Sequence, residues 1–141
     1  MHCKPFLTII FLFVFVITIN GQVTGLWKTI GDKDGKEKSI VEIYEKDGKL
    51  FGKVVKVLPG SKYTVCENCS GELKNKPITG LVILWDLIKT ADGGENGYVM
   101  DPGNCKTYSA YINLEEPDKL KLRGYIGVPA IGRTQYWYRV K

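Results

Sequence analysis

The sequence is short of histidine, the side chain on which much catalysis and metal binding depend. His2 is the only one in 141 residues, and it precedes the apolar segment at the amino terminus. If that segment is removed, the usual general base and the commonest nitrogen ligand go with it. No glycine-rich phosphate loop opens a helix, and Glu115 and Glu116 lie in a predicted turn. Distant acids could still converge as a glycosidase pair, but the sequence favours a protein that is not an enzyme.

The sequence also lacks an apolar run long enough for a permanent membrane span. The longest, Phe6–Ile19, has 14 residues and is interrupted only by two threonines. As a helix it would reach about 21 Å, short of the hydrocarbon core of roughly 30 Å. We therefore predict that residues 1–21 are a signal peptide and that the chain is exported to the periplasm or the medium. An uncleaved anchor is the alternative, and residues 22–141 have the size of one domain.

No block of one charge sign is present. The formal net charge is +5, and the loss of Lys4 with the signal peptide would leave +4. The remaining lysines are spread over predicted strands and turns, whereas a nucleic-acid-binding protein gathers its basic residues on one face or helix. We expect a solvated basic surface and no nucleic-acid partner.

Helical periodicity is nearly absent from residues 22–141. Apolar and polar residues alternate instead, most clearly in KTYSAYINL, and Gly, Asp, Asn and Pro separate the runs, as in the Asp47-Gly48 hairpin signal. DGGENG, residues 92–97, is interpreted as a further hairpin turn. The predicted strands are Gly25–Ile30, Ser39–Glu45, Leu50–Leu58, Leu81–Leu87, Gly97–Asp101, Lys106–Leu114, Lys119–Gly127 and Arg133–Val140.

Eight sequential antiparallel strands can remove both exposed edges by closing on themselves. We therefore predict an all-β fold, a small eight-stranded antiparallel up-and-down barrel. The interior of such a barrel is just wide enough for side chains or for one small ligand. A two-layer sandwich would share the same alternation and is the alternative.

Six motifs follow one another along nearly the whole of residues 22–141. They are GLW, DGKLFGKVVKVLPG, CENC, KPITGLVIL, VMDPGNCKTYSA and KLRGYIGVPAIGRTQYWYRV. Together they resemble the small secreted bacterial proteins grouped as domain of unknown function 2147. The resemblance implies a lipocalin-like barrel of the calycin type and carries no established activity. Cys105 departs from the family pattern, which reads Asn-Gly-Lys in the Asp-Pro turn.

The resemblance also implies a role for the tryptophan of Gly25-Leu26-Trp27. In lipocalin-like barrels this ring packs across the closed end against an arginine from a late strand. Arg139 is the expected partner here, and Arg123 is the second choice. A guanidinium over an indole face contributes roughly 0.5–2 kcal/mol, and its role would be structural.

Cys66 and Cys69 form a Cys-x-x-Cys pair in the long loop after the third predicted strand. An exported chain meets an oxidising compartment, so we predict a Cys66–Cys69 disulfide. Closing so short a loop contributes only about 2 kcal/mol to stability. Cys105 would then be unpaired, although the sequence also allows it to bridge either cysteine, and Cys3 would leave with the signal peptide.

Two other roles for the Cys-x-x-Cys loop are weighed against this disulfide. Zinc needs about four ligands, so carboxylates would have to complete a set of three cysteines without histidine. A thiol-redox role normally places the pair at a helix N-terminus, where the helix dipole lowers the thiol pKa, but here loop residues surround it. We therefore expect no metal and no cofactor.

The favoured function is the binding of a small hydrophobic or amphipathic molecule inside the barrel. Gly52, Ala110 and Gly124 put little volume into strands rich in aromatic residues, which could leave a lined cavity. The candidate ligand-binding residues are Trp85, Tyr98, Tyr108 and Trp137, with Arg133 or Gln135 as the polar anchor. If side chains fill the interior instead, the protein would be a non-enzymatic envelope or secreted interaction protein that acts through its surface, for example through an exposed edge or the Pro59–Pro77 loop.

Overall fold

The computed structural model describes residues 3–5, 10–14 and 22–141, and residues 22–141 form a closed antiparallel barrel. The strands are β1 (Gly25–Ile30), β2 (Glu37–Lys46), β3 (Lys49–Val57), β4 (Val82–Lys89), β5 (Gly93–Asp101), β6 (Lys106–Glu116), β7 (Lys119–Tyr125) and β8 (Gly132–Arg139). A 3-10 turn, Gly71–Leu73, is the only helical element among the described residues. The prediction of an eight-stranded all-β barrel is confirmed. Most of the predicted signal peptide, residues 1–21, lies outside the described residues.

Each strand pairs with its sequence neighbours, and β1 pairs with β8 to close the barrel. In this closing ladder Trp27 lies opposite Arg139, and Thr29 lies opposite Trp137. Closure leaves no unpaired edge strand, so the sandwich alternative is wrong. No helix in the described ranges is long and apolar enough to cross a membrane.

The fifth strand is longer than the sequence pattern indicated, and the interpretation of residues 92–97 as a turn is wrong. The turn occupies residues 90–92, and β5 already begins at Gly93. A Cβ atom at Gly93 would lie 1.9 Å from the carbonyl oxygen of Ile112, so only glycine allows this close pairing with β6. Asn96 has a φ of 56°, and the register shifts between Gly94 and Gly97. A β-bulge therefore produces the turn-like composition inside the strand.

The two ends of the barrel differ in the length of their connections. Short turns at residues 47–48, 90–92 and 117–118 lie at one end, which we call the closed end. Loops at residues 31–36, 58–81, 102–105 and 126–131 lie at the other, which we call the open end. Large apolar side chains fill the interior towards the closed end and are almost completely buried: Trp27, Leu50, Leu87, Ile112 and Leu120.

The longest loop, residues 58–81, is tied to the β5–β6 turn by a disulfide between Cys69 and Cys105. Their Cα atoms are 5.2 Å apart, and Asn68 Nδ2 donates a 2.7 Å hydrogen bond to the carbonyl oxygen of Gly103 beside the bridge. The predicted Cys66–Cys69 disulfide is therefore wrong. Cys66 is unpaired and buried.

The backbone of the loop explains this choice of partners. Val65 bridges to Pro77, and the Cys66 amide donates to the carbonyl oxygen of Lys76, so the loop folds back on itself. Cys66 is enclosed by this fold, and Cys69, which is also buried, lies against the neighbouring turn. Burial raises the pKa of the Cys66 thiol, which makes it a poorer nucleophile than an ordinary exposed cysteine.

Candidate functional site

A cavity of about 650 Å³ occupies the open half of the barrel and extends between its loops. Trp137 and Leu122 are buried among its lining residues, and Ile83, Val99 and Tyr108 also contact it. The interior is thus filled near the closed end and hollow near the open end. Residues face inward along the whole length of each strand, so the size of their side chains decides which half of the interior is filled.

Gly124 is the small residue that makes room for the cavity. A Cβ atom there would meet only Val99 Cγ1 at 3.5 Å and Tyr108 Cβ at 3.7 Å, which are ordinary contacts. At Gly52, by contrast, a Cβ atom would lie 3.0 Å from Leu84 Cβ, so a neighbouring side chain already fills that space. Ala110 is buried outside the cavity lining. Of the three small residues considered in the sequence, one lines the cavity.

Two of the four predicted aromatic residues line the cavity and two do not. Tyr108 and Trp137 are in the lining, whereas Trp85 and Tyr98 stack on each other on the outer face with ring centroids 5.9 Å apart. Tyr98 is 43% exposed, so the placement of this pair inside the barrel is wrong.

A bulge in β4 explains why Trp85 points outward. Asp86 has a φ of 58°, and Leu84 and Leu87 on either side of the Trp85-Asp86 pair are both completely buried. Two consecutive residues therefore face away from the interior, and the strict alternation is lost. Tyr98 pairs with Trp85 across the strands and lies on the same face. Aspartate tolerates this left-handed conformation, but sequence alone does not reveal where it does so.

The two predicted polar anchors, Arg133 and Gln135, line the cavity, and both already have partners in the protein. Arg133 donates two hydrogen bonds to Asp32, from Nε to Oδ2 at 2.7 Å and from Nη2 to Oδ1 at 2.5 Å. Gln135 Oε1 accepts a 3.2 Å bond from Trp137 Nε1. The hydrogen bonds from Arg133 hold the pKa of Asp32 below its ordinary value, against the opposing effect of burial. Sequence reasoning missed Asp32 because it lies in a loop about 100 residues away from Arg133.

The remaining buried polar side chains of the lining are also satisfied. Thr29 and Ser39 share a 2.8 Å hydrogen bond between their hydroxyl groups. Across the described residues, every buried side-chain nitrogen or oxygen has a hydrogen-bond partner. The deep part of the cavity thus presents apolar surface and no polar atom in need of a ligand.

The rim of the cavity is different because it carries charged and apolar side chains that face solvent. Lys33 and Lys62 line the mouth, and Lys62 Nζ lies 5.3 Å from the ring centroid of Tyr63. Ile126 and Ile131, from the β7–β8 loop, are 66% and 64% exposed and also line the mouth.

At the closed end the structure brings Trp27 and Arg139 together. The guanidinium carbon of Arg139 lies 4.3 Å from the centroid of the Trp27 ring. Arg139 also donates from Nη2 to the carbonyl oxygen of Gln22 at 2.6 Å and from Nη1 to that of Thr24 at 3.1 Å. The pair lies away from the cavity and joins the start of the barrel to its last strand, which is a structural arrangement.

Among the described residues, no group of ligand or thiol side chains supports a metal site or a thiol-redox site. In the described ranges no three residues among His, Cys, Asp and Glu lie close enough together to hold a metal ion. Cys69 is bonded to Cys105, so the Cys-x-x-Cys pair does not form one disulfide or one dithiol unit.

A closed eight-stranded barrel with a cavity at its open end belongs to the lipocalin-like class of small barrels. Protein HP1028 from the human pathogen Helicobacter pylori, described as a member of the lipocalin family, has a similar structure with a TM-score of 0.74. The two chains are 24% identical, and the similarity covers 85% of this chain and 84% of HP1028, which establishes the likeness of fold. Residues 25–139 match the family described as "Uncharacterized protein conserved in bacteria (DUF2147)", and the chain belongs to this family. No curated protein shows significant sequence similarity to it.

Proposed function

We propose that the protein binds a small, partly apolar molecule in the open half of its barrel. The observation that carries this proposal is the cavity of about 650 Å³. Its size falls within the roughly 300–1,000 Å³ of typical small-molecule sites, and apolar walls with a few polar groups are typical of such sites. Tyr108, Trp137, Arg133 and Gln135 would contact the bound molecule.

The polar groups of this site favour binding over catalysis. Arg133 is held by Asp32, and Gln135 by Trp137, so neither is poised to exchange protons with a substrate. Residues 22–141 also contain no histidine. We therefore propose a non-enzymatic role, since the remaining titratable groups of the lining, such as Asp101, Lys33 and Lys62, lie around the hydrated mouth and form no acid–base pair with one another.

We also propose that the protein works after export and cleavage of residues 1–21. The disulfide between Cys69 and Cys105 supports this, because such bonds persist in oxidising compartments and are rare in the reducing cytosol. N-terminal sequencing of the protein recovered from the bacterial envelope or medium tests the proposal. An intact Met1 would favour the anchor.

The alternative of an interaction protein that acts only through its surface assumed a filled interior. The cavity argues against that assumption. Native mass spectrometry of protein purified from its own cells would separate the two functions, because a binding protein should retain or take up a molecule of defined mass.

The variant that tests the pocket directly is Gly124→Phe. Its side chain would project into the cavity without meeting backbone atoms near Cβ. Titration with a neutral apolar fluorophore such as N-phenyl-1-naphthylamine should show binding to the wild type and at least about tenfold weaker binding to the variant, a loss of 1.4 kcal/mol. Thr107→Phe is the matched control, because Thr107 is exposed and precedes the inward-facing Tyr108.

The two phenylalanine variants must first give the same far-ultraviolet circular dichroism as the wild type. Equal affinities of the Gly124→Phe variant and the wild type would contradict the pocket. So would a wild-type protein that binds neither the fluorophore nor any component of a cell extract.

A further inference from the structure

Polar groups are distributed unevenly along the cavity. Deep in the lining, Thr29 is paired with Ser39, and the Trp137 indole is paired with Gln135. A polar ligand group placed there would lose its hydration and would have to compete with these internal hydrogen bonds, which is unfavourable. The apolar part of a ligand therefore belongs in the deep half of the cavity.

The charged groups at the mouth leave an excess of unpaired positive charge. Asp32 is bound to Arg133, and Asp34 Oδ2 is bound to Lys38 Nζ at 2.6 Å. In the part of the chain that the structure describes, neither Lys33 nor Lys62 forms a salt bridge.

A third acid, Asp101, also lines the cavity, but its carboxylate is engaged in a turn. Asp101 Oδ1 accepts a 2.8 Å hydrogen bond from the amide of Gly103. The two lysines without a salt bridge thus outnumber the one carboxylate of the lining without a salt bridge, which leaves a net positive charge at the mouth. Lys33 and Lys62 are both exposed, and lysine has a long flexible stem, so both ammonium groups can reach an anion held at the mouth.

We propose that the ligand is a single-chain amphiphile with an anionic head, bound tail first, with the head at the mouth between Lys33 and Lys62. This inference rests on the proposed function, because it assigns polarity and orientation to the molecule in the same cavity. The tail lies against Leu122 and Trp137, and the head remains partly hydrated at the rim. A carboxylate and a phosphate both satisfy this chemistry, and a cationic head does not.

The test compares probes that share one tail and differ in the head. Dodecanoate, dodecyl phosphate, neutral dodecanol and dodecyltrimethylammonium compete with N-phenyl-1-naphthylamine at concentrations below micelle formation. The two anions should bind about tenfold more tightly than the alcohol at low salt, because two exposed ion pairs together supply an effect of this order. The preference should shrink as salt is added. The ratio between the two anions distinguishes a carboxylate from a phosphate head.

The double variant Lys33→Gln/Lys62→Gln should bring the ratio of anion to alcohol affinity close to one. Lys46→Gln/Lys49→Gln is the matched control, because it removes the same charge at the closed-end hairpin and should keep the wild-type ratio.

The remaining outcomes separate this inference from the pocket itself. Equal binding of anion and alcohol, or preference for the cation, would overturn the inference and leave the pocket intact. An unchanged ratio in Lys33→Gln/Lys62→Gln would also overturn it. If no probe binds and the fluorophore does not bind, the proposed function fails, and the inference fails with it.

Discussion

Removal of the Cys69–Cys105 disulfide should destabilise the barrel strongly, and the size of the effect follows from the loop that it closes. The two cysteines are separated by 36 residues. The loop-length relation then gives about 4 kcal/mol of stabilisation, compared with about 2 kcal/mol for a bridge between Cys66 and Cys69. For a barrel of this size the melting temperature changes by about 4 °C per kcal/mol, so the loss should be about 15 °C.

The measurement compares Cys66→Ala with Cys66→Ala/Cys105→Ala. The Cys66→Ala background is needed because Cys66 could otherwise pair with Cys69 once Cys105 is gone. Urea unfolding with and without a reducing agent gives the free energy of unfolding for each protein. Reductant should destabilise the Cys66→Ala protein to the level of the double variant and leave the double variant unchanged.

The opposite pairing predicts the opposite pattern. If Cys66 and Cys69 were bridged, Cys66→Ala would remove the response to reductant, and Cys105→Ala would keep it. Labelling of free thiols in the unfolded wild type, followed by cleavage after Glu67, should place the label on Cys66. A reductant-insensitive Cys66→Ala protein, with no label on Cys66, would refute the pairing.

Two further predictions concern the Trp27–Arg139 contact at the closed end and the Asp32–Arg133 pair at the cavity mouth. Arg139→Met should lower the free energy of unfolding by about 2–3 kcal/mol in urea titrations, because it removes the cation–π contact with Trp27 and charged hydrogen bonds to backbone carbonyls. Arg139→Lys should recover only part of this free energy. An unchanged unfolding midpoint in the Arg139→Met variant would contradict the prediction. Asp32→Asn should make the free energy of unfolding less sensitive to acid. Hydrogen bonds from Arg133 lower the pKa of Asp32 in the folded state. The contribution of Asp32 to the free energy of unfolding is therefore present above its unfolded pKa and is lost as the pH falls through its folded pKa. Identical acid unfolding curves for Asp32→Asn and the wild type would speak against it.

The strand pattern could be predicted because alternation is a local property of the sequence. KTYSAYINL shows the two faces of β6 directly, and Ala110 and Ile112 are buried as expected. The pattern fails where one residue leaves the extended conformation. Asp86 in β4 shifts the faces of the strand, so Trp85, which looks like a core residue, lies outside.

The site could be predicted only in part because it depends on contacts between distant loops. Tyr108 and Trp137 are found from alternation, since each lies on the apolar face of a regular strand. The Asp32–Arg133 pair and the Cys69–Cys105 bridge join positions that no local spacing relates. Closure of the barrel brings these loops to one end, and the cavity mouth is made of them.

The division of the barrel into a filled and a hollow half separates most of the packed core from the proposed binding site. Near the closed end, Trp27, Leu50 and Leu120 are fully buried, and Arg139 joins the first strand to the last. An unfilled interior forfeits the dispersion contacts that a filled one would make, so the hollow half contributes less to folding. The disulfide and the folded-back loop add constraints at the open end, where Gly124 leaves space in the interior. Trp137 and Leu122 belong both to this lining and to the buried core, so changes at Gly124 should alter the cavity with less effect on packing than changes at those two residues.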